Sequence, residues 1–245
     1  YNLPESWKSV VDTFRNFAHN TRRDCLVLLD SPRHMEIQGA SKRVRLSDPS
    51  SSFSSIITPQ LRYISNVNSS YAAMYTNWRL VRDGTSGTNI WTPPSIKAIG
   101  VHLYTQFTAN YWDAPAGFNR GIITNILGLA FQPNRKDMDD LYMKSLNYAV
   151  YDKSAGFVLE GQKTTQIRPS AFDRINVRVL FNRLERVTYQ ALKYFKYEPN
   201  NVFTRREVIS QLNPIFSEVQ SRGGIHSYAI ICDESNNTPD VIDRN

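Results

Sequence analysis

The chain has 245 residues, a net charge of +7 and only two cysteines. A chain of this length buries about 70–75% of its unfolded surface, so no disulfide or metal staple is needed. Cys25 and Cys232 lie in apolar runs and read as buried reduced thiols, not a secreted disulfide scaffold or a zinc site.

No apolar run approaches the ~18 residues of a membrane span. The positive charge favours an acidic partner without choosing among nucleic acid, membrane surface and protein. Basic residues are spread, with small clusters at Arg22-Arg23, Lys42-Arg43-Arg45 and Arg205-Arg206, and no basic tail stands out. Opening at Tyr1 with no signal peptide, the sequence reads as a piece of a longer protein.

Pro4 opens a helical pattern with Trp7, Val10, Val11, Phe14, Phe17 and Ala18 on one face, ended by Asn20-Thr21. Residues 24–30 (DCLVLLD) form a short apolar run that predicts a buried strand. Residues 31–55 are polar and predict a long exposed loop, and a helix is expected over 58–67. In 71–82 the second half reads as a strand. The turn at Asp83-Gly84 and Gly87 then brings 89–91 back as its hairpin partner.

Pro93-Pro94 starts a helix over 95–108 whose core face is expected to be Ile96, Ile99, Leu103 and Phe107. A loop over 111–121 leads to a mostly buried strand at 122–131. Asn134 or Asp137 caps a helix carrying Met138, Leu141, Tyr142 and Leu146, and short strands follow at 149–151 and 156–159.

After a polar connector at 161–169 comes the longest helix, within 173–201. Val177, Leu180, Leu184, Val187, Ala191 and Phe195 recur on one stripe. Ser170 with Asp173 is expected to cap it, and Pro199 to close it. Thr204 and Glu207 predict a capping box for the last helix, with Pro214 kinking it, Gly223-Gly224 stopping it, and a strand over 226–232 beyond.

The strands at 24–30, 76–82 and 122–131 are expected to share one core. The whole predicts an α/β fold: a central sheet flanked by helices over 1–165, then a smaller α+β unit over 166–245. No internal repeat is visible.

Local signals for chemistry are missing. His19, His34, His102 and His226 have no metal-motif spacing. Of two carboxylate pairs that could in principle bind a metal, Asp139-Asp140 and Asp233-Glu234, the first reads as a solvated helix start, because adjacent residues point apart on a helix. There is no nucleophile elbow and no phosphate-binding loop. The sequence does not read as an enzyme, and no cofactor is implied.

Four stretches resemble the tail sheath proteins of contractile-tailed bacteriophages. They are 71–94 (YAAMYTNWRLVRDGTSGTNIWTPP), 112–121 (WDAPAGFNRG), 175–200 with its Asn176-Val177-Arg178 and Tyr197-Glu198-Pro199-Asn200, and Thr238-Pro239-Asp240-Val241-Ile242-Asp243. They fall in the family's order and the likeness runs from about residue 5 to the end. Two departures are visible: the family's terminal arms are not found in the sequence, and its FEPN is here YEPN.

The resemblance implies a virion subunit, assembled in the host cytoplasm, that stacks helically around an inner tail tube and contracts to drive the tube through the host envelope. It implies other sheath subunits, the tube protein, and baseplate and tail terminator proteins as partners, with nucleic acid not expected. It also implies that the C-terminal part faces the tube. On that basis Arg178, Arg183, Arg186, Lys193, Lys196, Arg205 and Arg206, with Arg222, become candidate tube contacts. A solvated face is the plain alternative, and Arg174 and Arg178 are expected to pair inside the subunit instead. Two other classes compete: a nucleic-acid-binding α/β module, marked by steep salt dependence, and a hydrolase with a scattered triad, marked by reaction with a serine-hydrolase probe.

Overall fold

The computed structural model describes residues 5–32 and 67–238. The expected loop beyond Pro32, the expected helix at 58–67 up to its last residue, and the segment after Thr238 lie outside the described residues. The chain divides into two compact units, Tyr1–Val179 and Leu180–Asn245.

The first unit is built on a five-stranded sheet. In chain order its strands are β1 (Val27–Asp30), β2 (Ala72–Tyr75), β5 (Ile122–Ile123), β7 (Leu146–Asp152) and β8 (Gly156–Glu160). Across the sheet they run β1-β2-β7-β8-β5. The β1–β2 and β2–β7 pairs are parallel, while β7–β8 and β8–β5 are antiparallel. Both faces are buried, which explains why β2 reads as continuously apolar.

Ala72 and Met74 join Leu146, Tyr148 and Val150 in one core cluster, whereas Ala73 and Tyr75 join Ala149 and Leu159 in another. Helix α1 (Glu5–Asn16) covers the first face through Val11 and Trp7. Helix α2 (Pro94–Thr108) covers the second through Ala98 and Val101. A short helix α3 (Gly117–Arg120) follows in the next loop. Helix α4 (Arg135–Met143) packs on the first face through Leu141, and the start of helix α5 (Ile175–Leu192) packs on the second through Ile175. The layering is helix, sheet, helix.

A second, three-stranded antiparallel sheet has the order β4-β3-β6, from β3 (Arg79–Arg82), β4 (Asn89–Thr92) and β6 (Gly128–Leu129). The predicted hairpin is present, with Arg79 opposite Thr92 and Arg82 opposite Asn89. Other expectations are corrected here. The stretch 71–82 holds two strands in two different sheets, and 122–131 likewise breaks into β5 and β6. The break falls at Asn125, whose φ of 58° is left-handed and cannot continue a strand. The three strand regions therefore share a core across two sheets: Val81 and Leu129 pack against the same cluster as Leu26, Leu28 and Ile123.

Helix α1 does not stop at Asn20. A π-helical stretch, Phe17–Arg22, extends it to a left-handed Arg23. Ser170 caps only the 3-10 turn Ala171–Asp173, by accepting from the Phe172 N–H. The cysteines are reduced but only half-buried, and neither lies in a strand.

In the second unit, α5 continues to Leu192 and is followed by helix α6 (Val202–Ser221). Leu180 and Leu184 of the predicted stripe are buried, as are Leu212 and Val219 of α6. The α6 N-cap is Asn201, not Thr204: its Oδ1 accepts from the N–H groups of Phe203 and Thr204. Pro214 lies inside the helix. Among the described residues, 226–232 forms no strand. Side-chain bonds take the place of a ladder: the Tyr228 hydroxyl donates to Asn213 Oδ1 at 2.6 Å and Gln220 Nε2 to the His226 carbonyl at 3.0 Å.

Candidate interaction surface

The motif residues singled out in the sequence are joints. Asn77, left-handed at φ 52°, stands where the chain leaves one sheet for the other. Its Nδ2 donates to the carbonyls of Ala149 (2.6 Å) and Phe131 (3.3 Å), and its Oδ1 accepts from Ala149 N–H (3.0 Å) and Arg79 Nη1 (2.7 Å). Arg79, fully buried, also donates to the Thr76 carbonyl at 3.1 Å. A guanidinium taken out of water needs acceptors around it, and this network supplies two, both at Nη1.

Asp30, at the end of β1, caps α2 from a distance. Its carboxylate accepts from Ser95 N–H and Oγ, both at 2.7 Å. Burial raises its pKa, and the two Ser95 bonds pull the other way.

In the 112–121 loop, Arg120 Nε donates to the Ala114 carbonyl at 3.0 Å. A Cβ on Gly121 would lie 2.6 Å from the Gly117 nitrogen and 2.7 Å from the Leu159 carbonyl, so only glycine fits. Asn176 Nδ2 donates to the Trp112 carbonyl at 2.9 Å, tying the start of α5 to that loop. Arg178 Nη2 donates to Ser70 Oγ at 2.7 Å, and its guanidinium lies 4.1 Å from the ring centroids of both Tyr71 and Phe172. The separate motifs thus bind one another.

His102, on the inner face of α2, shares a 2.8 Å hydrogen bond with the Tyr75 hydroxyl. Burial pushes the imidazole down to about 4 and the phenol up. A cavity of about 10 Å³ lies beside it, the size of one water molecule. Neutral, enclosed and bonded to a tyrosine, this histidine is a core group. Among the described residues no three His, Cys, Asp or Glu side chains gather as a metal site would require, and no helix is long and apolar enough to cross a membrane.

The basic candidates divide. Arg183, Arg186, Lys193, Lys196 and Arg206 are exposed, as is Arg222, which pairs with Glu218 at 3.2 Å. Arg178 and Arg205 are only 6% and 9% exposed, which corrects their placement on an outer basic face. Arg178 donates to Ser70 and lies against two rings, and Arg174 pairs with Asp173 at 3.2 Å. Helical periodicity could not separate Arg178 from Arg183, because the aromatic slot that takes Arg178 is assembled from distant residues.

The apolar stripe of α2 is also reversed. Ile96, Ile99, Leu103 and Phe107 face outward, and the smaller or polar Ala98, Val101, His102 and Thr105 face the sheet. Beside the stripe lies an open groove of about 640 Å³, lined by Ile96, Gly100, Tyr104, Arg120 and Ile122. The outward faces thus carry exposed apolar side chains on α2 and exposed basic ones on α5 and α6.

Comparison with known proteins bears on what such surfaces meet. Residues 168–245 match the family described as the phage tail sheath C-terminal domain. The chain is 34% identical to the tail sheath protein of Vibrio phage KVP40, over 97% of this chain and 36% of that protein. To the tail sheath protein of Enterobacteria phage T4 it is 35% identical, over 92% of this chain and 34% of that one. The chain therefore spans about a third of the length of these curated relatives. Its fold is similar to that of the anti-feeding prophage helical sheath in its contracted state, with a TM-score of 0.59 and 18% identity, covering 89% of this chain and 59% of that one.

Proposed function

Since the chain belongs to the phage tail sheath family, we propose that it is part of a structural subunit that stacks with copies of itself around a tail tube and contracts to drive the tube through the host envelope. The observation that carries this is the identity to tail sheath proteins along nearly the whole chain. Contraction then needs two sets of lateral contacts, the contracted set having the lower free energy, and no bond-making step. The role is structural rather than enzymatic, and its place is the virion tail, after assembly in the host cytoplasm. Baseplate and tail terminator proteins are the expected partners at the two ends.

Within the subunit we assign the tube-facing role to residues 166–245 and the central framework to 1–165. The match of 168–245 to a sheath C-terminal domain supports this division. The grip falls to the surface set, Arg183, Arg186, Lys193, Lys196 and Arg206, with Arg178 and Arg205 left as internal groups. A polar contact suits a surface that must let go, because rim charges steer and set register more than they hold.

The test reverses Arg183, Arg186 and Arg206 to Glu in the full-length protein and follows assembly on purified tubes. Assembly is expected to weaken and to lose part of its salt dependence. Assembly equal to the parent, with the same response to salt, overturns the assignment.

A further inference from the structure

The outward face of α2 has a composition that a solvated helix avoids. Ile96, Ile99, Leu103 and Phe107 are 47–86% exposed. The helix carries no carboxylate, and its Lys97 reaches along the surface to the Thr124 carbonyl at 3.2 Å. A second stripe of the same kind lies on α1 and its π-helical extension, where Val10, Phe14 and Phe17 are 46–54% exposed. The two helices cover opposite faces of one sheet. One copy of the unit therefore cannot close its two stripes on each other, but two copies can.

We propose that these stripes are the two halves of a contact between copies: the outward face of α2 on one copy receives α1 of the next. The inference rests on the sheath reading and names the surface through which copies meet.

Geometry supports the pairing. Ile96, Ile99, Gly100 and Leu103 stand at i, i+3, i+4 and i+7, the four corners of a hole that takes one side chain from a facing helix. Gly100 leaves that hole open, since a Cβ there would meet nothing within 4 Å. Val10, Phe14 and Phe17 are spaced four and three apart, as the facing knobs must be.

Size supports it too. Taking about 200 Å² per large side chain, the two stripes together expose on the order of 800 Å² of apolar surface. At an apolar share of roughly 65%, that corresponds to a contact of about 1,200 Å², where specific interfaces begin. Because the two patches differ, the contact runs head to tail, so it joins many copies in a ring or a helical array rather than pairing two off.

The test uses the full-length protein carrying Phe14→Cys, Phe107→Cys, or both, oxidised after assembly and run on non-reducing gels, with the parent as control for Cys25 and Cys232. Mixed single variants should give cross-linked dimers, the double variant a ladder, and each single variant alone only monomer. No cross-links in well-formed sheaths, or dimers from Phe107→Cys alone, overturn the contact. A second variant, Leu103→Gln with Phe107→Ser, should melt like the parent yet need about tenfold or more protein to assemble. Assembly at the parent's concentration overturns the contact as well. If the unsubstituted protein forms no sheath, it is the sheath reading that fails.

Discussion

His102 shows how burial turns one residue into a pH term. Its folded-state pKa is about 4, against an ordinary 6.5. Between those values the unfolded chain holds a proton that the folded chain refuses, so stability falls as pH drops through the window. The loss amounts to about 3 kcal/mol by pH 4. Asp30, raised by burial, works in the opposite direction, and His19, lowered chiefly by burial, in the same one. Comparing His102→Gln with the parent cancels both. The glutamine keeps a polar partner for Tyr75 but cannot titrate. The parent's advantage at pH 7 should therefore shrink by about 3 kcal/mol in urea melts at pH 4. A constant difference across pH would mean that the imidazole is solvated in the fold. Nothing in the sequence marked this histidine, because the ring that partners it lies on a strand 27 residues earlier.

At the scale of elements, the start of α6 separates two sequence signals that look alike. Asn201 and Thr204 are both good caps, but the Asn201 side chain takes the free N–H groups. Asn201→Ala should cost about 0.5–2 kcal/mol, and Thr204→Ala less than about 0.5 kcal/mol, both read from denaturant midpoints. The reverse order would move the helix start back to the predicted place. Where a signal was local, the sequence was legible: the β3–β4 hairpin lies where its residues indicated, and of the two caps offered for α4 Asn134 is the N-cap, with Asp137 completing a capping box. The β7–β8 pair is legible too, but β7 begins at Leu146, which periodicity places in the helix before it. Periodicity also found α2, but it records only that apolar residues share a face. It cannot say whether that face meets the sheet or another surface, so Ile96 and Phe107 were placed inward. The run at 122–131 misled for a related reason, since one apolar stretch serves two sheets and Asn125 turns between them. Helical spacing put Arg178 and Arg205 with the outward basic residues, but the fold buries both.

For the whole molecule, the net charge of +7 is spread, with the buried Arg79, Arg178 and Arg205 removed from the surface. Binding to duplex DNA should then be non-specific only, with Kd no tighter than about 10⁻⁶ M at physiological salt. Fluorescence anisotropy checks this, and nanomolar binding would restore the nucleic-acid reading. The framework itself has a mechanical side. Asn77 clamps β7, the Phe131 backbone and Arg79 at one point. Such a joint acts as a rivet: it resists until several bonds fail together, and it does not stretch under a smaller pull. On the function proposed above, a subunit built this way would pass on a push with little give, so that the work of contraction would go into moving subunits past one another rather than into bending them.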